Sequence, residues 1–199
     1  MSLLVESMKL RDGQIQNLEY HQNRLNRSMD EICPGKKHID LSGEIVIPEN
    51  CRKGLFKVRV LYSDTIEKIE FAAYTFRTIQ SLKIVRHESV DYHLKYADRA
   101  VLQELFARRG NCDDIIIVKN GLVTDSFAAN LVFFNGENWV TPDLPLLKGI
   151  KRQYLLDNGI ITAKKIREDD LKSFQKAGLV NAMIDFEKMP VISIEKIVY

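Results

Sequence analysis

The chain has 199 residues, 45% hydrophobic and 28% charged, the make-up of a globular protein with a substantial core. Its 29 Lys and Arg nearly balance 27 Asp and Glu, so a net charge of +2 gives no electrostatic case for nucleic acid or a membrane surface as partner. No run approaches the roughly 18 apolar residues that a spanning helix requires. Cys33, Cys51 and Cys112 lack CxxC spacing, and no basic start leads into an apolar stretch and a small-residue cleavage site, so a cytoplasmic location is expected.

In chain order, Leu3 to Leu10 reads as a strand and Asp12-Gly13 as a turn. A helix follows from Leu18 to about Ile32, with Asn17 as N-cap and an apolar face of Leu18, Leu25 and Met29. Cys33-Pro34-Gly35 ends it, and a short helix is expected after Pro48. The period then changes to alternation. Phe56, Val58, Val60 and Tyr62, followed by Ile66 to Tyr74 across Ser63-Asp64, read as an antiparallel hairpin that closes a small lobe of residues 1–75. In the larger lobe, residues 76–199, strands are expected at Leu82–Val85, Asp114–Val118, Leu131–Phe134, Trp139–Thr141, Thr162–Ile166 and Leu179–Ile184. Helices are expected from Asp98 to Arg109 and from Gly149 to Asn158-Gly159, with a short one between the last two strands. Hairpins mixed with single helices, without regular βαβ alternation and without internal repeats, give an α+β class with two lobes.

GxSxG, GxxxxGK[ST], HExxH and GxGxxG are all absent, and the four histidines are too scattered for a persuasive metal site. The densest reactive cluster is Asp91-Tyr92-His93-Leu94-Lys95-Tyr96-Ala97-Asp98-Arg99. A lysine attacks a carbonyl only when neutral, and burial among aromatic groups lowers its pKa toward that form. Lys95 is therefore either a Schiff-base lysine or a surface lysine whose stem lies on Tyr92 or Tyr96. Taken singly, Arg24 reads as a salt-bridged arginine or an anion ligand, and Asp125 as a turn residue or a cofactor partner. Gly149-Ile150-Lys151-Arg152 reads as an ordinary helix start or as a phosphate cradle of N–H groups and cations.

Together and in order, these segments resemble the class IV pyridoxal-phosphate enzymes, which include branched-chain and D-amino acid aminotransferases and aminodeoxychorismate lyase. The resemblance lies in His21-Gln22-Asn23-Arg24-Leu25, in His93-Leu94-Lys95-Tyr96-Ala97-Asp98-Arg99, and in Thr124-Asp125-Ser126-Phe127-Ala128-Ala129-Asn130-Leu131. It implies a two-lobed, D-amino acid aminotransferase-like fold type IV, pyridoxal phosphate as cofactor, and a homodimer. By the same resemblance Arg24 binds the cofactor phosphate, Lys95 is the cofactor-bound catalytic lysine, and Asp125 takes the family's glutamate position at the pyridine nitrogen. Gly149, Ile150 and Lys151 would supply the second phosphate contact, and Asn181 and Ala182 the closing segment. Two departures stand out: Asp125 is one methylene shorter than Glu, and Lys151 replaces a residue that is often threonine. Val5-Glu6-Ser7-Met8-Lys9 resembles the family's Phe-Glu-x-Ile-Arg strand and comes early, which implies a truncated small lobe.

Within the family, Lys95-Tyr96-Ala97-Asp98-Arg99 is closest to the lyases, which tend to have Lys, two residues, Asn, Arg. The favoured reading is a lyase forming 4-aminobenzoate and pyruvate from 4-amino-4-deoxychorismate, a step of folate synthesis. The alternative is a branched-chain or D-amino acid aminotransferase, since Lys57-Val58-Arg59 falls where branched-chain enzymes carry Tyr-x-Arg and Arg59 could clamp a substrate carboxylate. A second alternative is a non-catalytic relative that binds the cofactor, or a partner through basic Lys148, Lys151 and Arg152.

Overall fold

In the computed structural model, which describes residues 2–199, strand β1 (Leu4–Arg11) turns through Asp12 and Gly13 into the two-residue β2 (Gln14–Ile15). Helix α1 (Leu18–Ile32) follows, burying His21, Arg24, Leu25, Ser28 and Met29 along one face. Asn17 occupies the position expected of its N-cap, but its φ of 55° is left-handed and its side chain caps nothing. Side-chain capping needs an extended residue, whereas here the asparagine is used to turn the chain sharply out of β2, a conformation that Asn tolerates. A one-turn helix α2 (Leu41–Glu44), which no periodicity could announce, is capped by Asp40, whose carboxylate accepts from the Ser42 N–H at 3.0 Å. The short helix after Pro48 is a 3-10 turn, Glu49–Cys51.

β3 (Leu55–Tyr62) and β4 (Ile66–Ala73) form the expected hairpin, completing an antiparallel sheet of order β2-β1-β3-β4. Cross-strand pairing puts Leu4 opposite Tyr62, Glu6 opposite Val60 and Met8 opposite Val58. These pairs share the face that packs with Leu25, Met29, Leu41 and Leu94, so Glu6 points a carboxylate into an apolar core. Residues 2–76 form one compact unit that also takes in Leu94–Asp98. That late segment lies along β1: the Val5 N–H donates to the Lys95 carbonyl at 2.9 Å and the Ala97 N–H to Leu3 at 2.8 Å. A single division at 75 would assign Lys95 to the larger lobe; in the structure its backbone belongs to the first unit's sheet.

The second unit comprises Arg77–His93 and Arg99–Tyr199. β5 (Leu82–Arg86), α3 (Ala100–Ala107) and β6 (Asp114–Lys119) make a parallel crossover, and β6 reads as a continuous apolar run because it is buried on both faces. The helix starts two residues later than expected because Leu94–Ala97 is tied to β1 by backbone hydrogen bonds. β7 (Leu122–Val123) returns beside β6, then come β8 (Asn130–Phe134), β9 (Trp139–Pro142), α4 (Ile150–Asp157) and β10 (Thr162–Lys164). β11 (Lys176–Val180), β12 (Val191–Ser193) and β13 (Ile197–Val198) complete two sheets of order β10-β9-β8-β11-β12 and β13-β5-β6-β7. Leu82, Ile84, Ile116 and Val118 of the latter pack with Leu131, Phe133, Leu179 and Ile192 of the former in one core.

β11 runs three residues ahead of the expected Leu179–Ile184. Asn181 ends it by turning the chain, its Oδ1 accepting from the Met183 N–H at 2.9 Å. Gly178 sits mid-strand because a Cβ there would meet Met189 at 2.8 Å and Val132 at 2.9 Å. No helix among the described residues is long and apolar enough to cross a membrane.

Candidate active site

In the first unit, His21 and Arg24 share the apolar face of α1 because one carboxylate on β1 receives both. Arg24 donates through Nε to Glu6 Oε1 at 2.8 Å and through Nη2 to Oε2 at 2.5 Å, and His21 Nδ1 lies 2.5 Å from Oε2. Glu6 and His21 are 0% exposed and Arg24 is 7%. Burial alone would raise the Glu6 pKa, but the Arg24 charge and the His21 hydrogen bond overcome it and push it down to about 2. His21 is pushed down by burial, against the pull of Glu6, and the charges of Arg24 and Lys95 add to the fall. Ionised Glu6 only accepts, so Nδ1 carries the imidazole proton and Nε2 is left as a buried acceptor with no hydrogen-bond partner. This unit therefore brings together Arg24 and Lys95, both acting on His21, with Lys95 fixed through its backbone to β1.

In the second unit, Asp125 lies on the short connection between β7 and β8, closed by a bridge to Asn130. The loop is pinned from three directions. The Phe127 N–H donates to Asp114 Oδ1 at 3.1 Å, Arg99 donates to the Phe127 carbonyl at 2.5 Å, and the Phe127 ring stacks on Phe106 at 4.3 Å. Asp125 is 6% exposed; Oδ1 accepts from Asn130 Nδ2 at 2.6 Å and Oδ2 from the Leu147 N–H at 2.9 Å. Burial pushes its pKa up to about 6 despite those donors and the Arg152 charge. Gly149 precedes α4, no side chain caps that helix, and Ile150, Lys151 and Arg152 of its first turn are all buried. The Lys151 Nζ lies 5.2 Å from the Tyr154 ring centre. Arg152 is turned inward, donating to the Pro142 carbonyl at 2.8 Å.

Of the remaining expected residues, Arg59 pairs with Glu70 at 3.0 Å across β3 and β4, both partners about a third exposed. Asn181 donates to the Ala128 carbonyl at 3.3 Å, which brings it, with Ala182 next in the chain, to the Asp125 loop.

These groups fit the demands of pyridoxal phosphate. The cofactor needs an amine for its aldehyde, cations and N–H donors for its phosphate, and a partner for its ring nitrogen. Taken unit by unit, Lys95 and Arg24 of the first are of the kinds that would suit the aldehyde and the phosphate, and Asp125 and the uncapped start of α4 in the second are of the kinds that would suit the ring nitrogen and the phosphate. The unsatisfied Nε2 of His21 next to Arg24 marks the first unit's cluster as arranged for more than packing. Two residues that the sequence gives no role belong to these clusters. Glu6 stands out in the sequence only as part of the segment Val5–Lys9, although its place among Leu4, Met8 and Leu10 on one strand face, with His21 and Arg24 one turn apart on the following helix, is a usable signal. Asn130 stands out only as part of the segment Thr124–Leu131, with no role of its own.

Residues 51–194 match the family Amino-transferase class IV. A Haemophilus influenzae relative, described only as an "Uncharacterized protein", is 37% identical over 183 residues, covering 90% of this chain and 97% of its own. A Schizosaccharomyces pombe protein named "Putative aminodeoxychorismate lyase" is 27% identical over 191 residues, covering 86% of this chain and 79% of its own. The crystal structure of a "putative 4-amino-4-deoxychorismate lyase" from Haemophilus somnus 129PT superposes with a TM-score of 0.87 at 33% identity, covering 92% of this chain and 97% of that one. With the family matched over most of its length and the fold shared, the chain belongs to the class IV amino-transferases, the fold type IV family of pyridoxal-phosphate enzymes.

Proposed function

We propose that this chain is a pyridoxal-phosphate-dependent lyase that converts 4-amino-4-deoxychorismate to 4-aminobenzoate and pyruvate. The observation that carries the reading is Lys95, fixed along β1 in the same unit as the buried Arg24, at the head of the pattern Lys95-Tyr96-Ala97-Asp98-Arg99. The likeness to the Haemophilus somnus protein over nearly the full chain supports the lyase over the aminotransferase.

When bound, the cofactor supplies an aldehyde that captures the substrate amine and a ring that draws electrons from it. By the family resemblance, the phosphate would be held by Arg24 and by the N–H groups of Gly149, Ile150 and Lys151, with Asn181 and Ala182 as the closing segment. Asp125 holds a proton at the ring nitrogen: in a buried site a carboxylate is costly to ionise alone and far less costly beside a cationic ring. Lys95 would serve as the base that takes the ring proton of the substrate as the carbon–oxygen bond to the enolpyruvyl group breaks. The same proton, returned to the methylene carbon of the departing enolate, would give pyruvate, so no second substrate is required. Arg59 exchanges Glu70 for a substrate carboxylate, an exchange made easy because exposed ion pairs are weak. The working form is a homodimer, checked by light scattering.

The test is the visible spectrum with added pyridoxal phosphate, comparing the native chain with Lys95→Ala. An absorption band above 400 nm that depends on Lys95 is the expected result, together with 4-aminobenzoate release in a coupled assay. Conversion of that band by amino acids alone would favour the aminotransferase, and its absence in the native protein would leave a chain without this chemistry.

A further inference from the structure

A carboxylate that serves a ring nitrogen must be aimed as well as buried, and Asp125, with the shorter side chain, has little freedom to adjust. Both of its oxygens are spoken for by this chain, one by the Leu147 N–H and the other by Asn130. The Asn130 amide makes two hydrogen bonds and occupies the space beside Gly149. Its Nδ2 donates to Asp125 Oδ1 at 2.6 Å and to the Leu147 carbonyl at 2.8 Å, and its Oδ1 lies where a Cβ on Gly149 would come within 2.0 Å. The two donations fix which end of the amide is nitrogen, since the reverse assignment would set oxygen against oxygen at both partners.

No other side chain does this at the same length. Serine has one O–H for two acceptors, glutamine is a methylene longer, and aspartate would face Asp125 with like charge. The residue at 149 must be glycine for the amide to lie there at all, although its φ of −70° is open to any residue.

We propose that Asn130 is a positioning residue: it orients the Asp125 carboxylate toward the cofactor ring nitrogen and ties that orientation to the start of α4. This rests on the cofactor reading given above. One amide thereby sets the parts that receive the two ends of the cofactor, the carboxylate for the ring nitrogen and the helix start for the phosphate.

The experiment compares equilibrium binding of pyridoxal phosphate with that of 1-deazapyridoxal phosphate, in which a carbon replaces the ring nitrogen, for the native chain, Asp125→Ala, Asn130→Ala and Gly149→Ala. The native chain is expected to prefer the nitrogen-containing ring by about tenfold or more, the scale of one charge-assisted hydrogen bond, and Asp125→Ala to abolish the preference. Asn130→Ala and Gly149→Ala, which remove or displace the same amide, are expected to bring the ratio to within about twofold of unity. A merely structural Asn130 would weaken both ligands equally and leave the ratio unchanged, and that result, in either variant with an intact far-ultraviolet circular dichroism spectrum, overturns the proposal. If Asn130→Ala does not fold, Gly149→Ala carries the test alone. A native chain that binds neither ligand defeats the cofactor reading itself, which is a different outcome from a native preference that survives the substitutions.

Discussion

Glu6 and Asp125 are both buried carboxylates, and their surroundings drive them in opposite directions. Glu6 titrates near 2 in the fold against about 4.5 when unfolded, so its contribution is complete above pH 4.5 and is lost as pH falls toward 2. At roughly 1.4 kcal/mol for each pKa unit this amounts to about 3 kcal/mol. Asp125 titrates near 6 in the fold against about 3.8 unfolded, so it imposes no penalty below pH 3.8, and the penalty grows to about 3 kcal/mol as pH rises through 6. From these two groups the stability of the cofactor-free chain is expected to peak between about pH 4 and 5. Urea unfolding across pH 2–7 checks this: Glu6→Gln should flatten the acid limb and Asp125→Asn the limb from pH 4 to 6. Glu6→Gln should also cost about 3–5 kcal/mol at pH 7, because it leaves Arg24 without its buried counter-charge. At this scale the sequence was partly legible. Lys95, Arg24 and Asp125 could be singled out by residue type and order, whereas Glu6 and Asn130 act through partners far along the chain, 18 residues away for Arg24 and 17 for Leu147.

At the scale of elements, alternation and helical period served well wherever one face meets a core. Val58, Val60 and Tyr62 are buried as their spacing requires, and Leu25 and Met29 are 0% exposed on α1. Leu25→Ala is therefore expected to cost about 2–5 kcal/mol in chemical denaturation. Boundaries were legible only where a local signal coincided with a long-range one. Asn17 was read as a cap because of its side chain, but what the fold uses is its left-handed backbone. That difference is testable: Asn17→Gly should leave thermal stability equal or slightly higher, while Asn17→Val should lower it by about 1–2 kcal/mol, since a β-branched residue resists positive φ. β11 was displaced in the reading because Gly178 weakens the strand pattern at its centre; only the closeness of Met189 and Val132, invisible locally, explains why a side chain is missing there.

At the scale of the whole molecule, the α+β class and the two-part division follow from the order of hairpins and single helices, but the path of the chain does not. The first unit is completed by Leu94–Asp98, after the second has begun, because Leu94 joins the first core and the Val5 and Ala97 amides are satisfied by that pairing. Hydrogen exchange should accordingly find the Val5 and Ala97 amides protected to the same degree and lost together, as one opening unit. Faster exchange at Ala97 alone would mean that the pairing frays independently.

The chain thus passes from one unit to the other at 76/77, 93/94 and 98/99. Such interleaving means that neither part is finished by a ribosome in a single pass: the small unit must wait, with an edge of β1 unclaimed, until residue 98 has emerged, and the segment that closes it is the one that carries Lys95. A genetic cut at 76 would therefore yield a fragment that lacks its own closing segment and its amine together. Grafting 94–98 onto that fragment through a flexible tether, rather than trimming its ends, is the change that should make it cooperative in thermal unfolding.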